Sequence, residues 1–228
     1  MRRDKGAKGV CNSAAVFRDG KIVSYADKIL LPTYDVFDEA RYFSPGTEPC
    51  LVDWQGMRIG ISICEDIWVH SGQAQNRYIR DPIAEMAALK PDLVLNLSAS
   101  PFELGKSETR SKVLANATNI LGCPIAYCNQ VGAQDMLIFD GRSQIVDPHL
   151  GIICAGPAFD QSLVVGSLED PPAVIPFRSR GEELYAALVL GIRDYFAKQG
   201  IPRAFLGVSG GIDSAVVMAL AADAIGPE

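Results

Sequence analysis

The segment from Leu93 to Asn129 constrains this chain more than any other. Leu93–Leu97 is a continuous apolar run, the pattern of a strand buried on both faces. Ser107–Leu121 reads as a helix closed by Gly122, and Ile125–Asn129 as a further strand. Two hairpin signals precede this unit. Asn12–Phe17 and Lys21–Ser24 flank Arg18-Asp19-Gly20, and Leu51–Trp54 and Met57–Ile63 flank Gln55-Gly56. Ile83–Leu89 forms a second helix, with Asp81 as N-cap and Pro82 in the first turn. Leu137–Phe139 and Ser143–Val146 add strands. Strand-helix-strand alternation with added hairpins predicts an α/β sandwich over residues 1–170.

The character changes after residue 170. Asp170-Pro171-Pro172 through Pro176 reads as a linker, taken as residues 171–181. A second unit starts at 182: Glu182–Lys198 as a long amphipathic helix, Arg203–Val208 as a strand, Ser209–Ser214 as a glycine-rich turn and Ala215–Ile225 as a helix. This is the opening βα unit of a doubly wound, nucleotide-binding-type parallel sheet. One parallel strand makes no sheet, so the second domain is expected to be partial.

Charge and cysteine usage narrow the function classes. Lys+Arg is 21 against 27 Asp+Glu, a net charge of -6 over 228 residues, with no block of like charge. That argues against nucleic acid or an anionic membrane as partner. No apolar run approaches the roughly 18 residues that span a bilayer. The basic Met1-Arg-Arg-Asp-Lys-Gly6 is followed by no apolar stretch and is not a secretory signal. The six cysteines show no CxxC spacing and the two histidines lie near none of them, so no metal site is expected. Unpaired thiols suit a reducing, cytoplasmic location.

The string Ser209-Gly210-Gly211-Ile212-Asp213-Ser214, entered through Gly207 and Val208, lies between the expected strand and helix. Its glycines let the backbone approach a ligand, and the helix N-terminus offers unpaired N–H groups. With the two serine hydroxyls this makes a phosphate cradle. A bare GG would be only a tight βα turn. The full string resembles the pyrophosphate loop of ATP pyrophosphatases; it is neither a GxGxxG fingerprint nor a GxxxxGK[ST] loop.

Cys64 ends the apolar run Met57–Ile63 and enters Glu65-Asp66-Ile67-Trp68. A thiol at a strand end is where nucleophiles sit, although a lone cysteine is more often a small core residue. Glu65 and Asp66 are expected to raise its pKa, so a cation must offset them. Lys28 is the candidate, although alone it reads as a solvated surface lysine.

These segments together carry a resemblance. Lys28–Gly46 is similar to the lysine segment of the nitrilase superfamily, and Gly60–Trp68 to its nucleophile segment. Asn96–Lys106, Asn129-Gln130-Val131-Gly132 and Phe139-Asp140-Gly141-Arg142-Ser143 resemble one branch, the glutamine-dependent NAD synthetases, in which a nitrilase-like αββα amidase domain is fused to a pyrophosphate-loop synthetase domain. The resemblance implies that Cys64 is the nucleophile and Lys28 the stabiliser of the oxyanion. It implies that Glu39 positions that lysine and that Tyr34, Ser100 and Lys106 hold glutamine. As isolated residues, Tyr34 reads as a packed aromatic and Ser100 as a turn hydroxyl. It also implies ATP and deamido-NAD as further substrates, Mg2+ with the ATP, and self-association through the amidase domain. The family's general-base glutamate precedes the lysine segment and has no counterpart in these 228 residues. The chain is therefore expected to be truncated at both ends and inactive alone. Two rival readings stay open: a free-standing carbon–nitrogen hydrolase, which has no use for residues 207–214, and a non-catalytic nitrilase-like module.

Overall fold

The computed structural model describes residues 2–3, 9–71, 78–175 and 178–226. Linker residue Pro176 and most of the basic opening segment lie outside the described residues.

Along the chain, Arg2–Arg3 (β1) pairs with Val10–Cys11 (β2), and Ser13–Arg18 (β3) with Lys21–Asp27 (β4). A one-turn helix Glu39–Tyr42 (α1) precedes the hairpin Cys50–Trp54 (β5) and Met57–Ile63 (β6), and a 3-10 turn over Cys64–Ile67 follows it. Then come helix Pro82–Ala88 (α2), strand Leu93–Ser98 (β7), helix Lys106–Leu121 (α3), and strands Ile125–Asn129 (β8), Val131–Gln134 (β9), Leu137–Asp140 (β10), Gln144–Asp147 (β11) and Gly151–Ala155 (β12). Helices Arg180–Gln199 (α4) and Ile212–Ile225 (α5) close the chain.

The local signals act as the sequence predicts. Asp19 and Gly20 take φ of 51° and 74°, and Gln55 and Gly56 take 54° and 83°. Two central residues with positive φ give a turn whose twist matches its strands. The Asp81 carboxylate caps α2 by accepting from Ala84 N at 3.1 Å, and Gly122 ends α3 at φ 67°.

Six strands form one sheet in the order β12-β11-β8-β7-β6-β5. The central β6, β7 and β8 are parallel and the outer strands antiparallel. Helices α2 and α3 cover one face, over a core that includes Ile83, Met86, Val94, Val113, Leu114 and Ile125. A Cβ on Gly60 would lie 2.7 Å from Met86 Sδ and 3.1 Å from Val94 Cγ2, so glycine lets α2 sit close on β6. The β3–β4 hairpin lies against β5 and β6. The expectation that Leu93–Leu97 is buried on both faces needs correction. Val94 and Asn96 are fully buried, but Leu97 is 46% exposed. The helices cover only the first of these faces.

Helix α4 packs on the β9–β10 hairpin through Ala187 and Leu190 against Phe159, Val131 and Ile138. Asp194 Oδ2 accepts from Ala133 N at 2.6 Å, Lys198 donates to Ala133 O, and Arg142 pairs with Glu183. Ser179 and Glu182 form a reciprocal capping box at the start of α4. The strand expected at Arg203–Val208 is not formed: residues 201–208 are exposed and pair with nothing in a sheet. A parallel strand exists only through its neighbours, and no other strand is available beside it among the described residues.

No described helix is long and apolar enough to cross a membrane. No cluster of three or more His, Cys, Asp or Glu side chains among the described residues could hold a metal ion.

Candidate active site

The C-terminal ends of β6, β7 and β8 meet at one edge of the sheet. Cys64 follows β6, Ala99 and Ser100 follow β7, and Asn129 ends β8. In α/β sheets this is where strand ends leave a crevice for ligands. Cys64 takes φ 44°, a left-handed conformation that a residue with a Cβ adopts only under constraint.

Lys28 directly follows β4. It is not the solvated lysine that its sequence context suggests: it is 2% exposed, and its ammonium meets Glu39 Oε1 at 2.5 Å. Its main chain is fixed as well. Lys28 N donates to Asn12 O at 2.8 Å, and Lys28 O accepts from Gly46 N at 2.7 Å. Glu39 begins α1, donates its own N–H to Pro32 O at 3.0 Å, and accepts from Asn12 Nδ2 at 3.4 Å. Burial pushes the Cys64 thiol above its ordinary pKa. The Lys28 charge pulls it down, Glu65 pushes it up, and contacts with the Ala99 backbone and the Ser98 hydroxyl lower it. Lys28 is thus the largest influence that favours the anionic form of a thiol that burial otherwise keeps neutral.

Glu65 raises the thiol pKa, as expected. The Asp66 carboxylate turns to the main chain, where it accepts from Ile29 N at 3.1 Å, Leu30 N at 2.8 Å and Ile63 N at 3.1 Å. Burial pushes its pKa up to about 6 against these bonds and the Lys28 charge.

Tyr34, Ser100 and Lys106 gather around the same centre. The Tyr34 hydroxyl donates to Glu65 Oε1 at 2.7 Å, and that oxygen also accepts from the Tyr78 hydroxyl at 2.9 Å. Lys106 opens α3 with its ammonium 5.8 Å from the Trp68 ring centroid. Burial and then Arg110 lower its pKa, while Glu103 and Cys64 oppose them. Ser100 is buried; its N–H donates to Asn129 Oδ1 at 2.9 Å, and its hydroxyl accepts from Arg110 Nη2 at 3.5 Å.

Sequence reasoning missed the pair beneath them. Arg110 and Asp140, 1% and 2% exposed, form a two-pronged ion pair at 2.9 and 3.1 Å. Asn129 Nδ2 joins Asp140 Oδ1 at 3.5 Å and Gly141 O at 3.0 Å. The available signal was Arg110 standing one helical turn after Lys106, on the helix face that also carries Val113 and Leu114.

Residues 207–213 are exposed and Ser214 is half-buried. Gly210 takes φ 85°, and a Cβ on Gly211 would meet only Ser209 Oγ, at 3.5 Å. Gly211 is the N-cap of α5 and supplies no capping side chain. Gly211 N donates to Ser209 Oγ at 3.4 Å, and Ser214 Oγ donates to Gly211 O at 3.0 Å. Asp213 lies in the first turn of α5 and is not its cap.

A strand-end cysteine with a buried lysine paired to a glutamate, on a mixed α/β sheet, defines the class. The chain belongs to the carbon-nitrogen hydrolase family, whose model matches residues 1–170; the NAD synthase model matches residues 184–228. More particularly, it is 39% identical over 98% of its length to the glutamine-dependent NAD(+) synthetase of Synechocystis sp., covering 42% of that protein. It is 38% identical over 95% of its length to that of Acinetobacter baylyi, covering 39% of it. Among solved structures, the glutamine-dependent NAD+ synthetase of Acinetobacter baumannii in complex with ADP superposes with a TM-score of 0.85 at 36% identity, over 98% of this chain and 42% of that one. An amidase from Nesterenkonia sp. shares the fold, with a TM-score of 0.54 at 24% identity over 67% of this chain and 52% of that one. The motif resemblance and the α/β nitrilase-like fold expected from sequence are borne out. The chain spans about 40% of the length of the curated relatives it matches.

Proposed function

We propose that this chain is part of a glutamine-hydrolysing NAD synthase. One observation carries the reading: a Cys64–Lys28–Glu39 site and a residue 207–214 loop occur in one chain, within regions that match two different family models. We assign the glutamine-hydrolysing unit to residues 1–170, the linker to 171–181 and the start of the ATP-binding unit to 182–228.

In this reading the Cys64 sulfur attacks the side-chain amide carbon of glutamine. The C–S bond forms, the C–N bond breaks, and the proton given up by the thiol passes to the amide nitrogen, which leaves as ammonia. Water then cleaves the thioester to glutamate. The Lys28 ammonium faces the oxyanion that develops on the amide oxygen, and Glu39 holds that ammonium in place. Tyr34, Ser100 and Lys106 hold the substrate, with Lys106 suited to its carboxylate. The ammonia passes to a second site, where deamido-NAD activated by ATP is converted to NAD, with AMP and pyrophosphate as by-products.

The loop fits the pyrophosphate part of ATP. The space around Gly210 and Gly211 is open, and α5 begins with N–H groups that no side chain caps. The described residues offer no cluster that fits Mg2+, so any Mg2+ would ride on the phosphates; Asp213 is the carboxylate beside them. A cytoplasmic protein that self-associates through its amidase unit, and binds neither nucleic acid nor membrane, completes the reading.

The test is Cys64→Ala in the protein carried to the length of its relatives. Glutamine-supported NAD formation is expected to vanish while formation from free ammonia persists. Retained use of glutamine would overturn the reading.

A further inference from the structure

We infer that Asp66 is a positioning residue that fixes Lys28 against Cys64 by holding the main chain beside both of them. The inference rests on the reading of Cys64 and Lys28 given above and extends it to a residue outside the reacting set.

The geometry is specific. Ile63, the residue before Cys64, donates its N–H to Asp66 Oδ2 at 3.1 Å. Ile29 and Leu30, the two residues after Lys28, donate theirs to Asp66 Oδ1 at 3.1 and 2.8 Å. One carboxylate thus bridges the end of β6 and the end of β4, which lie more than thirty residues apart in the chain. Asp66 is 3% exposed, so water does not compete for its oxygens. Both oxygens of Asp66 are taken up by these three main-chain N–H groups, so Asp66 acts on the thiol through where it puts Lys28.

Three N–H donors on two oxygens require a group that accepts on both sides. A carboxylate does so; a carboxamide offers one oxygen and one NH2. Asparagine at this position can bond the Lys28 side or the Cys64 side, but on the other it sets its NH2 against a backbone N–H. The clamp opens on one side with almost no change in volume. The other restraints on Lys28, the bonds from Gly46 N and to Asn12 O and the Glu39 ion pair, hold its segment to the β2–β3 junction, to α1 and to the loop after α1. None of them ties it to Cys64.

The experiment is the pH dependence of Cys64 alkylation by iodoacetamide, with the adduct located by mass spectrometry, in the unsubstituted chain, Lys28→Met and Asp66→Asn. The thiolate is the reacting form, so alkylation at neutral pH slows about tenfold for each unit by which the thiol pKa rises. Lys28→Met is expected to raise the apparent pKa of Cys64; an unmoved profile there overturns the reading of the Cys64–Lys28 pair itself. Given that shift, Asp66→Asn is expected to reproduce it, with a rise of about one unit and about tenfold slower alkylation. Exposed Cys128 is expected to react at its original rate in every variant, which reports an intact fold. A shifted Lys28→Met profile beside an unshifted Asp66→Asn profile overturns the positioning role and leaves the Cys64–Lys28 reading standing. Should Asp66→Asn not fold, Asp66→Glu replaces it. That variant keeps the charge and displaces it by one methylene, and the same two outcomes decide.

Discussion

Replacing Gly46 with alanine would place a Cβ 2.3 Å from the Asp27 carbonyl oxygen and 2.9 Å from its carbon. Ordinary contact begins near 3.4 Å, so one of the two backbones must move by about 1 Å. Neither partner is the end of a flexible side chain. Gly46 N donates to Lys28 O at 2.7 Å, so the movement falls on the segment that carries Lys28. Overpacking of this kind costs about 1–3 kcal/mol of stability. The effect on the site is larger in proportion, because a displacement of about 1 Å in a positioned group can cost about 100-fold in rate. The nearest atoms that an added Cβ would meet all belong to Asp27, not to Cys64 or the expected substrate residues. The assay pairs denaturant unfolding with the rate of Cys64 alkylation by a glutamine-analogue electrophile. The expected result is a stability loss in that range together with labelling slowed by a factor of ten or more. Labelling at the parent rate in a protein destabilised by the expected amount would refute the link between the Gly46–Lys28 contact and the thiol.

Two further outcomes follow from the same structure. The Asp66 pKa is raised from 3.8 to about 6, so the folded protein holds this proton more tightly than the unfolded chain does. Stability from this group is therefore full below pH 3.8 and lost as pH rises to about 6, a fall of about 3 kcal/mol. The stability difference between the parent and Asp66→Asn, measured by urea unfolding across that range, should shrink with rising pH and stay flat above it; a difference that grows would contradict the assignment. A Cβ at Gly211 meets only Ser209 Oγ within 4 Å, at a backbone φ of -84° that valine accepts, so the fold should tolerate Gly211→Val. In the protein carried to the length of its relatives it should abolish ATP-dependent NAD formation while Cys64 still hydrolyses glutamine; unchanged synthesis with ATP limiting would reduce the loop to a tight turn.

What the sequence disclosed was local. The Asp19-Gly20 and Gln55-Gly56 turns, the Asp81 cap and the Gly122 stop each depend on residues within one turn of themselves, and each formed as read. Cys64 was visible because an apolar strand ends on it. The site's support was not visible, because its partners are distant in sequence. Asp66 bonds Ile29 and Leu30 more than thirty positions back, and Arg110 meets Asp140 thirty positions on. A charged residue in a sequence looks solvated until the fold supplies its counterion, which is why Lys28 read as a surface residue and is instead buried against Glu39. Arg203–Val208 failed for a related reason: β-propensity states a preference, and a strand also needs a neighbour to bond. Strands β9 and β12 escaped notice because each carries a glycine, which reads as a turn.

The central claim is that Cys64, made reactive by Lys28, is the thiol that attacks glutamine. The most direct measurement is mass-spectrometric mapping of the adduct left by a glutamine-analogue electrophile on the protein carried to the length of its relatives, with excess glutamine as competitor. The account predicts a single adduct on Cys64 that glutamine suppresses. An adduct on Cys123 or Cys128, or a Cys64 adduct that glutamine leaves untouched, would contradict it.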